Sequence, residues 1–176
     1  MSKSGDSQQH VKFPFMPLGI KIESVFGLLK ALDVVFNRHA DLYKLAEYFD
    51  LEIDDLIPVL EVAEMLGFAV IDGGDIFLTE SGELFIRAPV QSRRSILRER
   101  IKNFEPFKSA LSLINKQGSF KIEDLINLLS NLGYSEIGEI GFHDKLAQTL
   151  IDWGLYSGLF SYSSEDNIFK KSKRKV

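Results

Sequence analysis

The side chains that could do chemistry are few and scattered. The chain has 176 residues and no cysteine, which removes disulfides, thiolate nucleophiles, iron–sulfur clusters and most structural zinc sites. Its three histidines, His10, His39 and His143, are isolated in sequence, and none sits in a His-Glu-x-x-His or Cys/His pattern. His39 is expected at the end of the first long helix, where a cation favours the helix dipole. His143 next to Asp144 has the make-up of a base paired with a carboxylate, but reads first as a surface histidine on a helix. Ser135, in Gly133-Tyr134-Ser135-Glu136-Ile137-Gly138, resembles a nucleophile elbow with one residue too many before the last glycine. It also falls in a predicted helix–helix loop, where an elbow needs strand, turn and helix. The neighbours Asp54 and Asp55 suit a helix N-terminus better than an acid/base pair. No phosphate-cradling or dinucleotide fingerprint is present. The reading is of a protein that is not an enzyme, with no catalytic, metal or cofactor residues and no cofactor.

Charge carries more information than any motif. The net charge is −4, from 25 acids and 21 bases. Residues 47–83 hold eleven of those acids and no Lys or Arg. Residues 84–108 hold seven bases and two acids, and residues 170–176 hold five bases and no acid. Such patterning bears on solubility and association before it bears on fold. The first residues lack the apolar core of a secretory signal, and no apolar run reaches membrane-spanning length. No membrane insertion and a cytoplasmic location are expected, with peripheral attachment to the inner membrane face through a transporter.

The elements that must position these residues follow from periodicity. The fold class expected is mainly α with small β-hairpins: tandem winged-helix-like units joined by a basic helix. Residues 1–14 read as a disordered arm, with the Pro-containing stretch Lys12–Gly19 extended against a domain. Residues 15–88 read as the first unit. A helix from about Ile22 turns Val25, Leu28, Leu29, Leu32, Val35 and Phe36 inward. Asp41 caps a short second helix. A third helix starts at Asp54 or a neighbour, with Pro58 in its first turn and Gly67 at its end. Residues 68–71 and 76–78 form a hairpin across Gly73-Gly74, and Thr79 opens a fourth helix. Three helices and a hairpin are the order of a winged helix.

Residues 89–103 read as a solvated connector helix carrying Arg93, Arg94, Arg98, Arg100 and Lys102. Residues 104–169 repeat the outline: helices after Pro106 and Ile122, a helix with Leu146, Leu150 and Trp153 on one face, and a hairpin across residues 163–166. Residues 170–176 are a basic tail.

A winged helix invites a test for DNA binding. The third helix would enter the major groove and needs bases and amides on its outer side. Here that side carries Asp54, Asp55, Glu61 and Glu64, and the hairpin tip carries Asp72 and Asp75. Sequence-specific DNA binding is therefore not expected by the usual face. A winged-helix transcriptional regulator stands as the alternative, with the second unit's Lys145 and Gln148 as its weak support.

Several stretches, in order, resemble the AAA-associated C-terminal domain found after the ATPase of nitrate/sulfonate/bicarbonate-type ABC transporters. They are Gly27-Leu28-Leu29-Lys30-Ala31-Leu32; Asp41 to Ala46; Asp54 to Pro58 with Ala63 to Phe68; Gly74 to Thr79 followed by Gly82; and Ile151-Asp152-Trp153-Gly154 with Tyr156, Leu159 and Phe160. The chain departs from the family pattern at Leu155, where an Arg is usual, and at Ser157-Gly158, where Ala-Glu is usual. It carries no ATPase of its own, and its polar start favours a free-standing version over a fragment. The resemblance implies a regulatory or adaptor domain. It would bind a protein, either an ABC-transporter ATPase subunit or another copy of itself as a homodimer. Candidate partner-binding residues are the acids Asp54, Asp55, Glu61 and Glu64, the connector arginines Arg93, Arg94 and Arg98, and the aromatics Trp153, Tyr156 and Phe160. The aromatics read first as core anchors. Their exposed edges would be a docking surface.

Overall fold

The computed structural model describes residues 11–173, so the expectations for the first ten residues and for the last three lie outside the described residues. The chain is mainly α-helical, with two small antiparallel sheets of three strands each.

In the first half, α1 (Ile22–Val34) is followed by β1 (His39–Asp41), α2 (Leu42–Phe49), α3 (Ile53–Met65), β2 (Ala69–Asp72) and β3 (Asp75–Leu78). The sheet order is β1-β3-β2. Asp41 caps α2 as its residue type predicts, its carboxylate accepting from the Tyr43 and Lys44 amides at 2.9 and 3.3 Å. The β2–β3 turn rests on Gly73 and Gly74, both at positive φ. Thr79 caps α4 (Glu80–Arg87) by accepting from the Gly82 amide, and donates its hydroxyl proton to the Gly67 carbonyl. Gly82 has no freedom to change, because a Cβ there would meet the Phe68 carbonyl oxygen at 2.1 Å.

The second half repeats this order. Helix α5 (Val90–Ile101) leads to α6 (Phe107–Gln117), β4 (Ser119–Phe120), α7 (Ile122–Asn131) and α8 (Phe142–Thr149). Then come a π-helical turn (Leu150–Gly154), a last helical turn α9 (Leu155–Ser157), β5 (Phe160–Ser163) and β6 (Ile168–Lys171). The second sheet has the same order, β4-β6-β5. Phe120, Phe160 and Phe169 stack and cross edge-on at its centre. The buried residues from Met16 to Phe169 form one continuous hydrophobic cluster spanning both halves.

Four local expectations change. His39 does not end α1. That helix stops at Val34, the chain reverses through Asn37 and Arg38 at positive φ, and His39 becomes the first residue of a strand. There it stacks on Phe77, ring centroids 4.5 Å apart, with Nε2 3.2 Å from Asp75. The early stop also leaves Val35 half exposed, outside the expected inward face. Helix α3 begins at Ile53 with Glu52 as its N-cap, which puts Pro58 in its second turn. The Asp54 carbonyl there has no intrahelical donor, and Asp54 is solvent-exposed, so water can serve it. Strands β1 and β4 are too short for periodicity to reveal, and each completes a sheet by pairing with the hairpin.

Candidate functional site

Three places concentrate the residues singled out by the sequence: the outer face of α3, the connector α5, and the stretch from Thr149 to Phe160.

On α3 the apolar face is Leu56, Val59, Leu60, Val62 and Ala63, all buried. That orientation turns Asp54, Asp55, Glu61 and Glu64 outward, and all four are exposed. Among the described residues no salt bridge engages Asp54, Asp55 or Glu61. Glu64 has a structural duty: its carboxylate accepts from the Ile71 amide at 3.0 Å. Ile71 is on β2, one of the two edge strands of its sheet, so this bond occupies an open edge donor. Of the other acids in the block, Glu83 binds Arg38 and Arg87, and Asp75 lies 3.2 Å from His39. Arg87 also grips Asp33 with two hydrogen bonds of 3.0 and 2.8 Å, which tie α4 to α1 and raise the guanidinium pKa.

The connector arginines lie down on their neighbours rather than projecting as a solvated basic face. Arg93 donates to the Ala88 carbonyl and sits 5.7 Å from the Phe26 ring. Arg94 lies 5.2 Å from the Tyr156 ring, and its buried Nε has no hydrogen-bond partner. Arg98 is half-buried beside Gly158. Arg100, which was not among the candidates, is the most engaged. It donates to the Leu66 carbonyl and the Ser81 hydroxyl, and its guanidinium lies 5.6 Å from the Phe68 ring. Guanidinium planes over aromatic rings are attractive contacts, so α5 is fastened to both halves.

Between Thr149 and Phe160 the chain closes on the segment that leads into α1. The Gly19 amide donates to Thr149 Oγ1 at 2.9 Å, the Ile22 amide to Asp152 Oδ2 at 2.8 Å, and Trp153 Nε1 donates to the Ile20 carbonyl at 2.7 Å. Residues 149, 152 and 153 share one side of the helical run, which brings all three groups to the same four-residue segment. Asp152 thereby caps α1, whose own N-cap, Lys21, offers no side-chain bond. Desolvation raises the Asp152 pKa, Glu23 adds to the rise, and the Ile22 hydrogen bond and Lys21 oppose it. Trp153 is 0% and Phe160 2% exposed, so both are core residues, and only Tyr156 keeps an open edge. Tyr156 meets Phe26 edge-on at 5.3 Å across the two halves. Gly154 is required by close packing: a Cβ there would fall 2.2 Å from the Phe160 ring.

The remaining chemistry-bearing residues lie at the exposed surface. His143 lies 3.4 Å from Asp144 and 3.6 Å from Glu123, with all three side chains more than half exposed. Ser135 is an exposed residue of a short 3-10 turn (Ser135–Gly138). No group of three or more His, Asp or Glu among the described residues is placed to hold a metal ion. No helix among them is long and apolar enough to cross a membrane.

A family model described as the C-terminal AAA-associated domain matches residues 43–163. The matched stretch runs from α2 through β5 and takes in the acidic face of α3, the connector and the Asp152-Trp153-Gly154 grip. The Gly27–Leu32 stretch lies ahead of it. The match covers more than half of the chain, and the chain belongs to this family. Neither the curated proteins nor the solved structures include a match.

Proposed function

From its membership of the C-terminal AAA-associated domain family, we propose that the chain is a non-catalytic regulatory or adaptor module that binds a protein. The partner is an ATP-hydrolysing subunit of the ABC-transporter kind, or else a second copy of the chain. The observation that carries this reading is the row of exposed carboxylates on α3, of which Asp54, Asp55 and Glu61 have no cationic partner among the described residues. Unpaired charge on a well-supported helix speeds and orients encounter with an oppositely charged surface. In the basic connector, Arg93 and Arg100 are each held by a hydrogen bond and an aromatic ring of the fold, and Arg94 lies against Tyr156.

In this reading residues 15–88 and 104–169 are two winged-helix-like units, and 89–103 is the strut between them. The module works in the cytoplasm and is peripheral to the membrane through a transporter.

The test is capture of the purified chain on ATP-binding subunits of ABC transporters from the same source, at low salt, with ATP hydrolysis measured in parallel. Retention that is lost with Asp54→Lys/Glu61→Lys supports the reading. No retention and no change in hydrolysis overturn it.

One observation favours a second reading. The helix–strand–helix–helix–hairpin order is a common DNA-binding arrangement, which supports a transcriptional regulator. The face that would lie in the groove is acidic, and acids repel phosphates. A gel-shift selecting one duplex sequence at moderate salt, with binding lost on Lys145→Glu, would establish this second reading.

A further inference from the structure

The segment Gly19–Ile22 does more than join the halves: it forms the bank of a trough. On one side a cleft of about 520 Å³ opens between the start of α1, the end of α2 and the start of α3. Its walls are largely apolar, with Leu28, Phe49, Leu51, Leu56 and Val59, and Leu51 is 42% exposed. Gly27 leaves space beside the Phe49 ring, which a Cβ there would only just touch at 4.0 Å. A second depression continues past Lys21 and Glu23 to Gln148, Ile151 and Asp152. Lys21 and Glu23 line both, so the trough runs from the acidic end of α3 across the joint to the π-helical turn.

Its ionisable lining is three acids, Glu23, Asp55 and Asp152, against one base, Lys21. No salt bridge among the described residues neutralises Glu23 or Asp55. We infer that this trough is a docking groove for an amphipathic segment of the partner protein, with large aliphatic side chains in the cleft and Lys or Arg along the acidic rim. The inference rests on the reading that the chain binds a protein.

Shape and charge choose this occupant. An elongated apolar groove suits the apolar face of a helix or strand, whereas a compact ligand would use one depression only. The rim selects positive charge. The chain's own basic end, Lys170-Lys171-Ser172-Lys173-Arg174-Lys175-Val176, has the charge but only one aliphatic residue to offer the cleft. A segment seated here would touch both halves and lie over the Asp152–Ile22 bond, so binding would brace the joint.

Calorimetric titration of the full chain tests this, with a synthetic helical peptide of Leu and Lys as probe and its Leu/Glu counterpart as control. Gly27→Leu fills the cleft floor, at a helical position with negative φ. Asp55→Lys reverses the rim, and Glu165→Lys makes the same charge change on the exposed β5–β6 turn. The expected result is binding of the Leu/Lys peptide alone, weakened about tenfold or more by Gly27→Leu and by Asp55→Lys but little changed by Glu165→Lys. No binding overturns the inference, and so does equal weakening by the two charge reversals or full affinity in folded Gly27→Leu. If Gly27→Leu does not fold, by thermal unfolding, the comparison of Asp55→Lys with Glu165→Lys decides. Capture of the ATP-binding subunit separates this inference from the broader reading. Capture that survives Gly27→Leu but not Asp54→Lys/Glu61→Lys leaves the protein-binding reading standing and removes the groove. Peptide binding without capture leaves the groove standing and removes the ATP-binding subunit as its partner.

Discussion

Asp152 and Ile22 are 130 positions apart in sequence and 2.8 Å apart in space, where the Asp152 carboxylate accepts the Ile22 amide proton and caps α1. Thr149 and Trp153 bind the same segment on either side. A sequence signature close to the C-terminus is therefore the clasp that holds the first helix of the fold. The proposed docking trough is built along that clasp.

Removing the cap should cost what a lost N-cap costs. Asp152→Ala is expected to lower stability by about 1 kcal/mol, read as a shift in urea midpoint. Asp152→Asn keeps an acceptor for the Ile22 amide without a charge to desolvate, so it should equal or exceed the wild type at neutral pH. The sign with pH follows from the raised pKa in the fold. Between its unfolded and folded pKa values Asp152 holds its proton more firmly when folded, which is stability present at low pH and lost as pH rises through the folded pKa. The advantage of Asn over Asp should therefore shrink on acidification.

Gly154 and Phe160 should be coupled. Gly154→Ala places a methyl group against the Phe160 ring, at a residue whose φ of −68° any side chain tolerates. The expected loss is about 1–3 kcal/mol from overpacking alone. Phe160→Leu should return part of that loss, and a double-mutant cycle in urea should give a coupling of about 1 kcal/mol. Strict additivity would mean that the clash is relieved elsewhere.

Gly27 should be the opposite case. It sits inside α1, and a Cβ there meets only the Phe49 ring at ordinary contact distance. Gly27→Ala should stabilise the chain by about 1 kcal/mol through helix propensity, raising Tm by about 2–4 °C. A fall in Tm would show that the cleft floor is tighter than its geometry indicates.

Much of this architecture was legible in the sequence because it rests on local signals. Asp41, Thr79, Gly67 and the Gly73-Gly74 pair each act within a few residues, and each stands where its type predicts. Helix periodicity located α3 and with it the outward set Asp54, Asp55, Glu61 and Glu64. What stayed hidden depends on pairing across long separations. His39 looked like a helix end because the partner that makes it a strand, Phe77, is remote in sequence. Glu64 belongs by its helix position with the outward acids, and its bond to Ile71 exists only once the hairpin folds back. The connector read as solvated because arginine side chains can lie along apolar surface while their charge stays served, and no periodicity reports which rings they meet. Asp152 stood in the recognised stretch, yet nothing local could show that it caps a helix 130 positions away.

The most direct test of the central claim is calorimetric titration of the chain against an ABC-transporter ATP-binding subunit from the same source, with and without charge reversal on α3. The account predicts a measurable affinity that falls as salt rises and drops about tenfold or more in Asp54→Lys/Glu61→Lys, while thermal unfolding stays that of a folded chain. An affinity unchanged by salt and by that reversal, or no binding beside tight sequence-selective binding to duplex DNA, would contradict it.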